Sequence, residues 1–242
     1  MSIVPTSPKL LFSWSPLPHH HYYFLTPYTP LAHRPRSDMD RDLVFVAMSF
    51  FDRYLSRYSV DETLTQLVAM TCLYLAVKVH SSKKISITSI VSLSRGYFRL
   101  DQVIKMEMCI MKSLNWYLNP PTPSTFVDIL YPLMDELTDD DASVAEIKDL
   151  AKYLLELSVC DGYFINKNPS LIAHAAIATA MNVLATPVKI QRRLQSLPNA
   201  ASPSSIEECT GRLYNIYSAS MTEHQLSMGM MGREASPTSV LS

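Results

Sequence analysis

Glycine is scarce in this chain, with five among 242 residues. So few glycines argue against glycine-rich phosphate loops and against a turn-dense all-β fold, both of which use backbone that glycine adopts most cheaply. Cysteine is hardly more frequent. Cys72, Cys109, Cys160 and Cys209 form no C-x-x-C pair, which argues against zinc knuckles and dithiol redox motifs and leaves free, buried thiols in a reducing compartment as the expectation. Neither sign of charge dominates: 21 Lys and Arg stand against 22 Asp and Glu. That balance gives no electrostatic footprint for nucleic acid or an anionic membrane. The small cluster of Lys189, Arg192 and Arg193 reads as a solvated helix face. G-x-S-x-G, H-E-x-x-H and P-loop signatures are missing, so no enzyme, cofactor, metal or small-molecule substrate is expected. Residues 1–35 do not fit a secretory leader, because Pro16 and Pro18 break the run that starts Leu10-Leu11-Phe12. The stretch from Pro169 to Val188 carries no charge, yet Ser170, His174, Thr179 and Asn182 punctuate it. It reads as a helix buried in a bundle rather than one crossing a membrane.

Apolar residues make up 48% of the chain, enough for a sizeable core. Residues 1–37 form a separate zone holding seven of the sixteen prolines. They are expected to be disordered, since proline removes a donor and blocks helix interiors. His19-His20-His21 lies in this zone and reads as solvated rather than metal-binding. From Asp38 the periodicity turns helical. Arg41 to Arg57 places Val44, Met48, Phe51 and Leu55 on one face. Further helices are expected over Thr63–His80, Ser86–Tyr97 and Asp101–Trp116, with Ser59 or Asp61 capping the first of them. Asn119-Pro120-Pro121-Thr122-Pro123 marks a linker. Beyond it, helices are expected over Ser124–Leu137, Ser143–Phe164, Pro169–Leu184 and Ser205–Ala219, with a short basic one over Val188–Leu197 and a disordered tail over 221–242. The reading is an all-α chain of two tandem bundles, 38–119 and 120–220.

The two halves repeat. At a shift of 104, Leu67, Ala69 and Ala76 meet Leu171, Ala173 and Ala180, and Val68 and Leu73 meet Ile172 and Ile177. The alanines make sense for a central helix whose neighbours approach closely on several sides. The repeat also exposes a gap. The second half has a helix, Ser124–Leu137, ahead of its long amphipathic one, whereas the first half has the proline-rich zone in that place.

Two charges sit on apolar stripes. Glu107 shares a face with Val103, Ile110 and Met111, and Lys78 follows Leu67, Thr71, Tyr74 and Leu75. Burying an unpaired charge costs several kcal/mol. Either the two pair with each other or lie at the edge of a stripe, or they face a protein partner; spacing leaves these readings open.

Taken in order, Phe51-Asp52-Arg53-Tyr54-Leu55, Gln66-Leu67-Val68-Ala69, Leu75-Ala76-Val77-Lys78, Lys105-Met106-Glu107 and Pro121-Thr122-Pro123 resemble the N-terminal box of the cyclins. Leu154-Leu155-Glu156-Leu157-Ser158 and Pro169-Ser170-Leu171-Ile172-Ala173 resemble their C-terminal box. The resemblance covers roughly residues 41–219. It implies a cyclin fold of two five-helix bundles, the first lacking its opening helix. It also implies a non-catalytic regulatory subunit that activates a cyclin-dependent protein kinase in cell-cycle control, in the nucleus or cytoplasm. Lys78 and Glu107 would then bond the kinase backbone, Leu75, Met111 and Trp116 would form an apolar pocket for a kinase helix, and Leu67 would be core. The absent helix would have carried an Arg for Asp52 and most of a substrate-docking patch, of which only Gln66 has a counterpart. Two acids that often follow the Lys are here His80 and Ser81. A helical scaffold or pseudo-cyclin that activates no kinase, and a cyclin-fold transcription adaptor, are the alternatives.

Overall fold

The computed structural model describes residues 42–83, 85–135, 141–186 and 202–231. These form eight α-helices and one 3-10 turn: α1 Asp42–Leu55, α2 Glu62–His80, α3 Ile87–Leu93, α4 Leu100–Ser113, α5 Pro123–Asp135, α6 Asp141–Val159, the turn Gly162–Phe164, α7 Pro169–Val183 and α8 Pro203–Met231. No strand occurs among the described residues. The all-α reading therefore stands. The proline-rich zone, the basic segment at 188–197 and residues 232–242 lie outside the described residues.

Helices α1 to α4 enclose the first core, in which Phe50, Leu67, Leu75, Ile110 and Leu114 are fully buried. Helices α5 to α8 enclose the second, around Leu154, Leu155, Ile177, Met181 and Leu213. The central helices α2 and α7 are buried on several sides, as their alanines suggested. Ala76, Ala173, Ala175, Ala176 and Ala180 have no accessible surface, and α7 packs against α5, α6 and α8. The uncharged 169–183 segment is thus a core helix of the second bundle. Phe45 of α1 belongs to the second core, and Val159 at the end of α6 packs against both. These residues join the bundles.

Element boundaries shift where local chemistry outweighs periodicity. Helix α3 stops at Leu93 rather than Tyr97, because Arg95 (φ 51°) and Gly96 (φ 85°) turn left-handed behind it. Ser86 caps its start, its hydroxyl accepting from the Ser89 N–H at 3.1 Å. Asp61 occupies the N-cap of α2, but its side chain makes no cap bond; its carbonyl instead accepts the hydroxyl of Thr65. Helix α6 ends at Val159, short of Phe164, and Asp161 caps the 3-10 turn that follows. Pro169 opens α7 in the first turn, where its missing N–H costs nothing. The last helix overruns its expected end: α8 continues to Met231, so residues 221–231 are helical and not a disordered tail. Ion pairs tie neighbouring helices. Asp128 of α5 meets Lys148 at 3.0 Å and Lys152 at 3.2 Å on α6, and Asp161 meets Arg212 of α8 at 2.6 Å.

Candidate functional site

The two charges singled out by patterning come together. Lys78 Nζ lies 2.7 Å from Glu107 Oε1, joining the last turn of α2 to the middle of α4. Helix α2 carries Lys78 up from the core on the same stripe as Leu75, and α4 presents Glu107 between Val103 and Ile110. The pair is asymmetric. The Glu107 side chain is 9% exposed and the Lys78 side chain 51%. Glu107 is therefore held from below, while Lys78 reaches up to it from the surface and passes over the Tyr74 ring at 5.7 Å. The hydrogen bond that Lys78 donates to the Glu107 carboxylate raises the Lys78 pKa above its ordinary value, and burial opposes this more weakly. The charge is fixed in place while about half of the Lys78 side chain, 51%, stays exposed.

Beside Glu107, α4 presents an apolar stripe. Ile104, Met108 and half-buried Met111 share one face of α4 at spacings of four and three; Trp116, 61% exposed, follows at its end, and Val79, next to Lys78 on α2, is also exposed. The sequence reading named Met111 and Trp116 but missed Ile104, Met108 and Val79. The i, i+4, i+7 spacing of 104, 108 and 111 was the signal available. Leu75 is placed differently from the expectation. At 1% exposure it lies in the core and shapes this surface only from beneath. Leu67 is core, as expected.

The turn that displays Trp116 is a built feature. Asn115 (φ 51°) and Trp116 (φ 59°) are consecutive left-handed residues without glycine, a costly conformation. The Trp116 N–H donates to the Met111 carbonyl at 3.0 Å, closing the end of α4. Arg53 of α1 donates to the Tyr117 carbonyl at 3.0 Å, and its guanidinium lies 5.1 Å from the centre of the Tyr117 ring. His80 Nε2 is 2.6 Å from the Leu118 carbonyl oxygen. Arg53 and His80 thus hold the segment leading from the first bundle to the second. Pairwise spacing could not have found them, because their partners are backbone carbonyls far along the chain.

Asp52 stands in contrast. Its Oδ1 is buried with no hydrogen-bond partner among the described residues, and burial pushes its carboxyl up to about 7. Gln66, in the first half of the helix that ends near Lys78, is half-buried and lines a groove of about 670 Å³ on the first bundle. The four cysteines form no disulfide. Cys72 and Cys209 are buried as expected, whereas Cys109 and Cys160 are half-buried. The described residues hold no cluster of metal-ligating side chains.

Comparison with known proteins then places the chain. The profile of the cyclin N-terminal domain matches residues 34–119, and that of the cyclin C-terminal domain matches residues 121–229. The chain belongs to the cyclin family. It is 27% identical over 186 residues to the putative cyclin-B3-1 of Arabidopsis thaliana, covering 76% of this chain and 45% of that protein. It is 31% identical over 144 residues to the G2/mitotic-specific cyclin-B1 of Oryzias latipes, covering 60% of this chain and 34% of that protein. The chain thus spans less than half the length of these relatives. Among solved structures it is similar to a viral cyclin from herpesvirus saimiri, with a TM-score of 0.62 and 16% identity over 76% of this chain and 78% of that one. This likeness supports the two-bundle cyclin fold.

Proposed function

We propose that this cyclin is the regulatory subunit of a cyclin-dependent protein kinase in cell-cycle control, in the nucleus or cytoplasm. It would bind through the surface built around Lys78 and Glu107 and supply no catalytic group. The observation that carries this reading is the Lys78–Glu107 pair, its lysine half-exposed and its glutamate buried, on helices that also expose Ile104, Met108 and Val79 and are followed by exposed Trp116. An exposed, fixed charge beside a stripe of exposed apolar side chains is the composition of a binding patch, in which apolar anchors provide affinity and the charge fixes register. On this reading, Trp116, Met108 and Met111 receive a kinase helix, and Lys78 and Glu107 exchange part of their mutual bond for bonds to kinase backbone groups. The cyclin then favours the kinase conformation whose helix is turned into the active site, a shift of population that requires no chemistry from the cyclin.

The test is an affinity capture of the full chain beside the Lys78→Ala, Glu107→Ala double variant, with helix content checked by circular dichroism. Recovery of a cyclin-dependent kinase with the wild type and its loss with an equally helical variant is the expected outcome. A kinase retained by the variant would place the interface elsewhere. A folded wild type that captures no kinase would favour the scaffold reading.

A further inference from the structure

The two bundles are built on one plan, yet their central helices are covered unequally. At the shift of 104 that aligns the halves, Ala69 and Leu73 of α2 correspond to Ala173 and Ile177 of α7. Ala173 and Ile177 have no accessible surface, and α5 packs across both α7 and α6 to close that bundle. Ala69 and Leu73 are only half-buried, and they line the 670 Å³ groove with Phe51, Ile90, Tyr97 and Phe98. Its rim is conspicuously open: Leu93 is 62% and Tyr97 79% exposed. The groove therefore lies on the face of α2 whose counterpart in the second bundle is covered.

Chain order says what belongs there. Helix α5 runs immediately ahead of α6, so its counterpart should run immediately ahead of α1. Shifted back by the same interval, Pro123–Asp135 falls on residues 19–31. That stretch contains Tyr22-Tyr23-Phe24-Leu25-Thr26-Pro27-Tyr28-Thr29-Pro30-Leu31. It is rich in aromatic and apolar side chains and carries no formal charge. Pro27 and Pro30 prevent a helix from running through it, and they bias Thr26 and Thr29 toward extended backbone. An extended proline-containing segment with a P-x-x-P spacing, here Pro27 to Pro30, suits an apolar groove lined by aromatic rings. Ten residues separate Leu31 from Asp42, a reach of about 33 Å when extended, which exceeds the roughly 21 Å length of α1. The segment can thus pass back along α1 to Phe51.

We propose that residues 22–31 of the same chain occupy this groove in extended form, taking on the first bundle the place that α5 takes on the second. The chain covers its own groove with a strap where its pseudo-repeat uses a helix.

The test places the photocrosslinker p-benzoylphenylalanine at exposed Tyr97 of the full chain. A mixture of nitrogen-15-labelled and unlabelled protein is irradiated, and the crosslinked peptides are sequenced by mass spectrometry. The proposal expects crosslinks to peptides within residues 22–31 with both halves of one isotope, falling at least tenfold in a Phe24→Asp, Leu25→Asp variant of unchanged helix content. Mixed-isotope crosslinks would assign the groove to a second copy and overturn it. So would crosslinks confined to other segments, none to 22–31, or a signal that the double variant leaves intact.

Discussion

Asp52 and the Lys78–Glu107 pair show how burial and pairing decide the worth of a charge. Asp52 is an acid whose folded pKa, about 7, lies above its ordinary 3.8 because burial disfavours the carboxylate. Between those values the folded chain keeps a proton that the unfolded chain releases, so stability falls as pH rises from about 4 to 7, by on the order of 4 kcal/mol at full effect. Asp52→Asn is expected to remove that slope. The variant should match the wild type near pH 4 and exceed it by about 2 kcal/mol or more at pH 8 in urea titrations monitored by circular dichroism. The Lys78–Glu107 pair works the other way. Truncating Lys78 alone leaves a mostly buried carboxylate without its bond, which costs about 1–3 kcal/mol. Lys78→Ala should therefore destabilise more than the Lys78→Ala, Glu107→Leu double variant, and a double-mutant cycle by chemical denaturation would measure the difference. A near-zero coupling would mean that the bond contributes nothing to the free fold.

At the scale of elements, helix ends carry the strain. Helix α7 closes on Ala185 (φ 51°), with the Thr186 N–H donating to the Met181 carbonyl at 2.9 Å. This is the end that glycine fits best. Ala185 is exposed, so Ala185→Gly should raise stability by about 0.5–1 kcal/mol without altering any packing, read as a rise in Tm. The left-handed pair after α4 is different in kind, because Trp116 there belongs to the proposed binding surface. Its conformation is held by Arg53 and His80 from two other helices rather than by glycine. The strain thus sits beneath the patch that a partner would read, and it is offset by contacts from α1 and α2.

Among the described residues, Phe45 and Val159 reach across the joint between the bundles. Phe45 leaves α1 and enters the second core. Truncating a buried Phe in a core costs about 3–5 kcal/mol, and here the loss falls on the coupling between bundles as well as on packing. Phe45→Ala is expected to split a single thermal unfolding transition into two in calorimetry. One cooperative transition at lower Tm would show that the bundles are joined mainly by other contacts.

The sequence determined the helices, the linker near residue 120, the repeat and the placing of two charges on apolar stripes, because each depends on spacing along one helix or on proline and alanine chemistry; that the two charges meet was decided by the packing of α2 on α4. It also carried the family resemblance through short motifs in order. It did not determine which face of a stripe ends up outside. Leu75 and Lys78 lie three residues apart on one stripe, yet one is core and the other half-exposed, since the depth at which α4 crosses α2 sets the waterline. Nor could it show Arg53 and His80 holding the turn at Trp116, because side-chain bonds to backbone carbonyls leave no residue pattern. Only the tertiary arrangement, which brings the ends of α1, α2 and α4 to one corner, decided that this corner carries the charge, the apolar patch and the strain together.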